Sequence, residues 1–155
     1  MYGWLVFLHM FSVFVFLLVH GGGAAVMLKL RSEEDPEAGL ALFNILPNVS
    51  LLRFLLALVI VTGLIPGFML DWWREGWMWA SLVVLALIAL VHWRYGSGYL
   101  GSFVGAAERA IGEKNSKSAL EDFAAVRATW HPIGVTAIGT AGLAIILWLM
   151  MFKPF

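Results

Sequence analysis

The sequence contains no cysteine. That excludes disulfides, thiolate-bound zinc, iron–sulfur clusters and cysteine-held haem, so any metal or haem must be held by histidine, methionine or carboxylate. Charge is scarce as well: charged residues are 13% against 61% hydrophobic, a mix far outside that of a water-soluble domain. Neither sign is in excess, since ten Lys plus Arg balance ten Asp plus Glu, and no net field draws the chain to nucleic acid or an acidic partner. A glycine-rich phosphate loop, a His-Glu-x-x-His pair and a serine or cysteine triad are also missing, which leaves hydrolysis and nucleotide binding without residues to perform them. No basic leader precedes the first apolar run. That run outlasts a signal-peptide core of about 7–15 residues and continues through Val26, Met27 and Leu28 beyond the small stretch Gly21 to Ala25, so cleavage is not expected.

What the chain does have is long apolar runs. About 20 such residues span a bilayer, and four runs, at about residues 3–28, 51–70, 77–93 and 132–152, meet that length. The expected fold is all-α: a single membrane domain over residues 1–155, built as an antiparallel bundle of four transmembrane helices. Glu33, Glu34, Asp35 and Glu37 around Pro36 mark a water-facing first loop with a short helix through Leu40 to Leu46, and Ser50 reads as the cap of the second span. Asp71 to Gly76 is short enough to be a tight hairpin that makes spans two and three antiparallel neighbours. The third loop, Arg94 to Thr129, opens with a break at Gly96-Ser97-Gly98. It then places two short helices around the polar turn Gly112 to Ser118, the second lying against the membrane surface or the bundle end. Loops one and three hold Lys29, Arg31, Arg94, Arg109, Lys114, Lys117 and Arg127, whereas the middle loop has Arg74 and the C-terminus Lys153. The positive-inside rule therefore puts those two loops in the cytoplasm and both termini outside, and the tryptophan belts agree.

Four histidines stand out, because an ionisable ring in hydrocarbon is costly and usually faces the bundle interior. His9 and His20 are eleven residues apart, about three turns, so they share a face roughly 16 Å apart along the axis. His92 and His131 read as lying at the cytoplasmic boundary. Bundle cores hold cofactors between facing helices, and haem iron takes histidine or methionine axially, so haem b is the expected cofactor. The site reading puts His20 as one axial ligand, with His92 or His131 as the second. Gly21, Gly22 and Gly23 would offer a bare surface for the porphyrin, and Arg53 would neutralise a propionate at the level of Arg94. A further small face is read from Gly134, Ala137, Ala141 and Ala144. The plain alternative is that small residues let helices pack, boundary histidines are solvated and Arg53 snorkels. Depth opposes a shared iron: counted from Lys29, His20 is about 13 Å from the inner edge and His92 only a few ångströms, so tilt or a broken helix is needed. Copper held by His9 with Met10, Met69, Met78, Met150 and Met151 is the lesser expectation, since methionine is ordinary apolar filler.

Four short stretches, Trp4 to His9, Thr62-Gly63, Trp77 and Leu149 to Pro154, resemble a family of predicted bacterial integral membrane proteins of uncharacterised function. That family is distantly similar to the copper-resistance D type membrane proteins and the haem-containing membrane protoporphyrinogen oxidases. The resemblance implies a bacterial cytoplasmic membrane and makes His9 the first-helix histidine, a rival axial ligand with Met78 opposite. The oxidases open their third span with Trp-x-His-x-Lys-Leu, whereas here Trp77-Met78-Trp79-Ala80-Ser81-Leu82 has Trp79 and Ser81 at the histidine and lysine, so protoporphyrinogen oxidation is not expected. Two functional readings follow. One is a haem b protein of electron transfer type, a carrier exchanging electrons with quinone or a partner subunit. The other is a cofactor-free accessory or assembly subunit packed against a larger membrane complex or a second copy of itself.

Overall fold

In hydrocarbon every backbone N–H and C=O must be satisfied within its own segment, so apolar runs of this length become helices. The computed structural model describes residues 2–114 and 116–155. Its helices are α1 (Tyr2–Ser32), α2 (Pro36–Ile45), α3 (Val49–Met69), α4 (Gly76–Val91), α5 (Ser97–Gly112), α6 (Lys117–Arg127) and α7 (His131–Phe152). A single 3₁₀ turn (Trp72–Arg74) lies between α3 and α4, and a π-turn (His92–Gly96) joins α4 to α5. Four stretches are long and apolar enough to cross a membrane, and they cover the four expected spans except for Leu70, which caps α3. The water-facing helices are started by polar side chains. Asp35 accepts the Glu37 N–H at 3.0 Å with Pro36 in the first turn, and Ser116 accepts the Ala119 N–H at 3.4 Å. The cap of α3 is Asn48 rather than Ser50: its side chain accepts the Ser50 N–H at 2.7 Å.

Two connections differ from expectation. Gly96-Ser97-Gly98 does not break the chain, because the π-turn passes α4 directly into α5. A glycine in a helix costs only about 1 kcal/mol. Beyond the turn Tyr99, Phe103, Ala106, Ala107 and Ala110 recur at helical spacing and are all buried, and that packing outweighs the cost. Spans two and three also meet less than the hairpin suggested. The Met78 Cε lies where a Cβ on Gly67 would be only 2.9 Å away, but the extensive pairings are α1 with α3 and α4 with α7. Away from the hairpin α3 and α4 stand apart, and a cavity occupies the gap.

Each end of the bundle has its own small core. At the end bearing α2, α5 and α6, the α5–α6 hairpin folds over Leu30 and buries Phe103 and Phe123 against α2. Gly39 is needed there, since a Cβ would approach the Phe103 ring to 2.9 Å. At the hairpin end Trp77, Met78 and Leu149 pack together, the Lys153 ammonium sits 4.6 Å from the Trp72 ring, and the Trp77 N–H donates to the Phe155 carbonyl at 3.1 Å. Between these ends the helices turn large apolar side chains outward, among them Phe14, Leu18, Val83 and Leu87, as lipid-facing helices do.

Candidate functional site

On α1, Phe16, His20, Gly23, Ala24 and Met27 recur with helical period, so one face of the helix lines the gap. On α4 and the π-turn, Leu85, Ile88, Ala89, His92 and Gly96 do the same from across the bundle. The N-terminal part of α3 contributes Leu52, Arg53 and Leu56, and α7 contributes Val135, Thr136 and Leu143. The space between these helices is about 500 Å³, within the range of about 300–1,000 Å³ typical of small-molecule sites.

His20 and His92 meet at this cavity. Their ring centroids are 5.3 Å apart, with the planes inclined by 51°. Gly139 on α7 makes room for both: a Cβ there would lie 2.8 Å from the His92 Cε1, 3.2 Å from its Nε2 and 3.4 Å from the His20 Nε2. The His92 Nδ1 is 3.0 Å from the Ile88 carbonyl. A carbonyl only accepts, so Nδ1 carries the proton and the Nε2 lone pair is left free, the tautomer and second hydrogen bond typical of a metal-ligating histidine. His20 stacks on Phe16 at 5.5 Å and makes no hydrogen bond among the described residues. An imidazole in hydrocarbon without a partner carries an uncompensated desolvation cost.

The two histidines meet despite the different depths counted from Lys29: their rings lie side by side, and the helix that carries His92 runs on through the π-turn to Gly112. Single π-turns inside α-helices often occur at functional sites, and this one starts at the residue that faces His20.

The other predicted residues fall in different places. Arg53 lines the same cavity, is exposed, and has no carboxylate partner among the described residues. Gly23 faces the cavity and packs on Pro47, whereas Gly21 and Gly22 are exposed with open space beside them, so the bare surface is narrower than the triple glycine suggested. His131 is stacked on Trp130 at 5.0 Å and Tyr95 at 5.9 Å, and it lines a separate pocket with Arg94. His9 is remote from the pair along α1. Its Nδ1 is 3.1 Å from the Thr62 Oγ1, whose own hydroxyl donates to the Leu58 carbonyl at 2.7 Å, so His9 is the donor to Thr62. The His9 ring rests on Gly63, where a Cβ would come within 2.9 Å of it, and Met78 sits on Gly67 one turn further along α3.

The small face expected on α7 is not the face that packs. Ala137, Ala141 and Ala144 are exposed and Gly134 lies under the Trp130 ring; the buried face is Val135, Gly139, Gly142, Ile146 and Leu149. The signal was present, because Gly139 and Gly142 are one turn apart on the stripe of Val135 and Ile146. Among the described residues no group of three or more His, Cys, Asp or Glu side chains gathers that could hold a metal ion by itself. Comparison with protein-family models, curated proteins and solved structures found no match to this chain.

Proposed function

We propose that this protein binds haem b in the cavity, with His20 and His92 as axial ligands, and serves electron transfer in a bacterial cytoplasmic membrane. The observation that carries the reading is the pair itself: two imidazoles from opposite sides of the bundle bring their Nε2 atoms to the same glycine. Bare zinc takes four ligands, and this pair has no third histidine or acidic residue beside it among the described residues. A tetrapyrrole brings four nitrogens of its own and asks the protein for one or two more. When bound, haem supplies reversible one-electron chemistry, and ligation on both faces favours electron transfer over oxygen binding.

The chain's own residues have distinct tasks in this reading. His92 is held in one tautomer by Ile88, Phe16 stacks against His20, and Gly139 keeps space between the rings. Arg53 faces the cavity with an unpaired guanidinium suited to a propionate. If the basic loops are cytoplasmic and both termini outside, the cavity belongs to the cytoplasmic half, where quinone or a partner subunit would exchange electrons with it.

The test is expression with haem supplied, purification in mild detergent, and absorption and pyridine haemochrome spectra. The expected result is one haem per chain with the low-spin spectrum of two nitrogen ligands. Protein without a Soret band, or a Soret band that survives loss of both His20 and His92, overturns the reading. An intact fold without porphyrin but with a co-purifying membrane partner would instead favour the accessory-subunit reading.

A further inference from the structure

The cavity that holds the histidine pair differs between its two ends. His9 faces Thr62 and Gly23 faces Pro47, so along α3 the level of His20 falls near Leu51. On α7 the same level is marked by Gly139, which meets both histidine rings. At about 1.5 Å per residue, Phe16 on α1, Leu56 on α3, Ile88 on α4 and Leu143 on α7 lie roughly one turn deeper, away from the end that bears α2, α5 and α6. All four are apolar. Apart from the histidines and Trp93, the polar side chains of the lining are Arg53 and Thr136.

Both of these belong to the shallow side. Thr136 stands three residues before Gly139, about 4.5 Å nearer the end where α7 begins. Arg53 is close to the histidine level, but side chains tilt towards the N-terminus of their helix, and α3 begins at that same end. Thr136 is also unlike the other hydroxyls inside the bundle. Ser12, Thr62 and Ser81 each donate to a carbonyl one turn back in their own helix, at 2.7, 2.7 and 2.8 Å. The Thr136 hydroxyl, half-buried on the cavity wall, makes no hydrogen bond among the described residues. A hydroxyl withdrawn from water without a partner is costly, so a ligand that brings an acceptor to this wall removes the cost.

We propose that Thr136 is a positioning residue of the cavity, its hydroxyl donating to a propionate and so setting which edge of the haem faces the α2, α5 and α6 end. This assignment rests on haem b as the occupant. Haem b is polar along one edge, which carries two propionates, and apolar along the opposite edge, which carries the vinyl groups. The cavity has the same polarity: Arg53 and Thr136 on the shallow side, and Phe16, Leu56, Ile88 and Leu143 on the deep side. Two carboxylates call for more than one polar partner, and Thr136 supplies the one that Arg53 leaves over. With the vinyl edge uppermost instead, both carboxylates would face hydrocarbon side chains and be desolvated without a donor.

The experiment is a titration of the full-length, haem-free protein in mild detergent, followed by the Soret band. Haem b is compared with iron octaethylporphyrin, which offers the same iron but has no carboxylate. Thr136→Val should weaken haem b about tenfold, the low end for a hydrogen bond to a charged group, while Thr136→Ser should stay within about twofold of the parent. The low-spin spectrum should be the same in all three, because the axial ligands are untouched. Iron octaethylporphyrin should bind the parent and Thr136→Val equally well. Thr140→Val, a substitution of the same kind on the exposed face of α7, should change neither titration. Haem b affinity unchanged in Thr136→Val, or an equal loss for both porphyrins, overturns the proposal, the second outcome by showing that Thr136 acts through packing. A parent that gives no Soret band with either porphyrin removes the haem reading itself, and with it this role. That failure is told apart from the others by appearing before any substitution is made.

Discussion

His9 and His20 stand on the same helix, eleven residues apart, yet they meet opposite surroundings. His9 is provided for from within: it donates to Thr62, its ring lies on Gly63, and nothing it offers is left over except the Nε2 edge. His20 has a phenylalanine on one side, an imidazole on the other, no hydrogen bond among the described residues, and a cavity in front of it. Intramembrane histidines share the same cost of leaving water. The two rings differ in how that cost is met: at His9 the Thr62 hydroxyl meets it, and at His20 no hydrogen-bonding group among the described residues does.

The largest effect that follows is spectral. Replacing His20 or His92 by alanine should abolish the low-spin haem spectrum and bring haem content close to zero, while His9→Ala should keep the spectrum. The reverse pattern, loss with His9→Ala and retention with His20→Ala, would show that the resemblance was the better guide and would move the iron roughly 16 Å along α1. Gly139→Val is expected to come next. Its side chain would occupy the space shared by both Nε2 atoms, and overpacking of this kind costs about 1–3 kcal/mol, so haem affinity should fall about tenfold or more with the helical spectrum intact. Equal haem retention in Gly139→Val and the parent would mean the rings do not converge as described.

Thr62→Val sharpens the comparison from the other side. It leaves the His9 Nδ1–H without its acceptor while preserving volume. Interhelical hydrogen bonds in membranes contribute about 0.6 kcal/mol on average and up to about 1.7. The expected loss of stability in that range, read from unfolding in detergent mixtures, should come with unchanged haem content. A drop in haem as large as that of His92→Ala would mean His9 and His20 belong to one site.

How much of this was legible without coordinates depended on which residues carried a periodic signal. The spans followed from length and hydropathy alone, because lipid leaves helices as the only economical use of such runs. The pairing of His20 with His92 is only half visible: both are candidate ligands, but counting depth from Lys29 sets them at different levels, and the chain past Arg94 does not read as a continuing helix. A π-turn has no strong sequence signature, and Gly96-Ser97-Gly98 looked like a stop, so the continuation to Gly112 was hidden. The face of α7 was misread for a related reason. Alanines are compatible with lipid as well as with packing, whereas only glycine admits the close approach seen at Gly139 and Gly142. Nor could composition reveal that α3 and α4, joined by a tight hairpin, stand apart and open the cavity.

The smallest predicted effect concerns Arg53, and it tests whether the cavity recognises the periphery of a porphyrin or only its iron. The guanidinium lines the cavity but is solvent-exposed, so its attraction to a propionate is screened. Exposed ion pairs are worth about 0–1 kcal/mol, which corresponds to at most about fivefold in affinity. Arg53→Gln should therefore weaken haem retention by up to about fivefold on dilution into detergent, leave the axial spectrum unchanged, and lose less affinity as salt rises, because screening already removes what the substitution takes away. Haem dimethyl ester, which lacks the propionate charges, should bind the parent and Arg53→Gln equally well. If the ester instead binds the parent more tightly than the variant, the role of Arg53 is to shape the cavity rather than to meet a carboxylate.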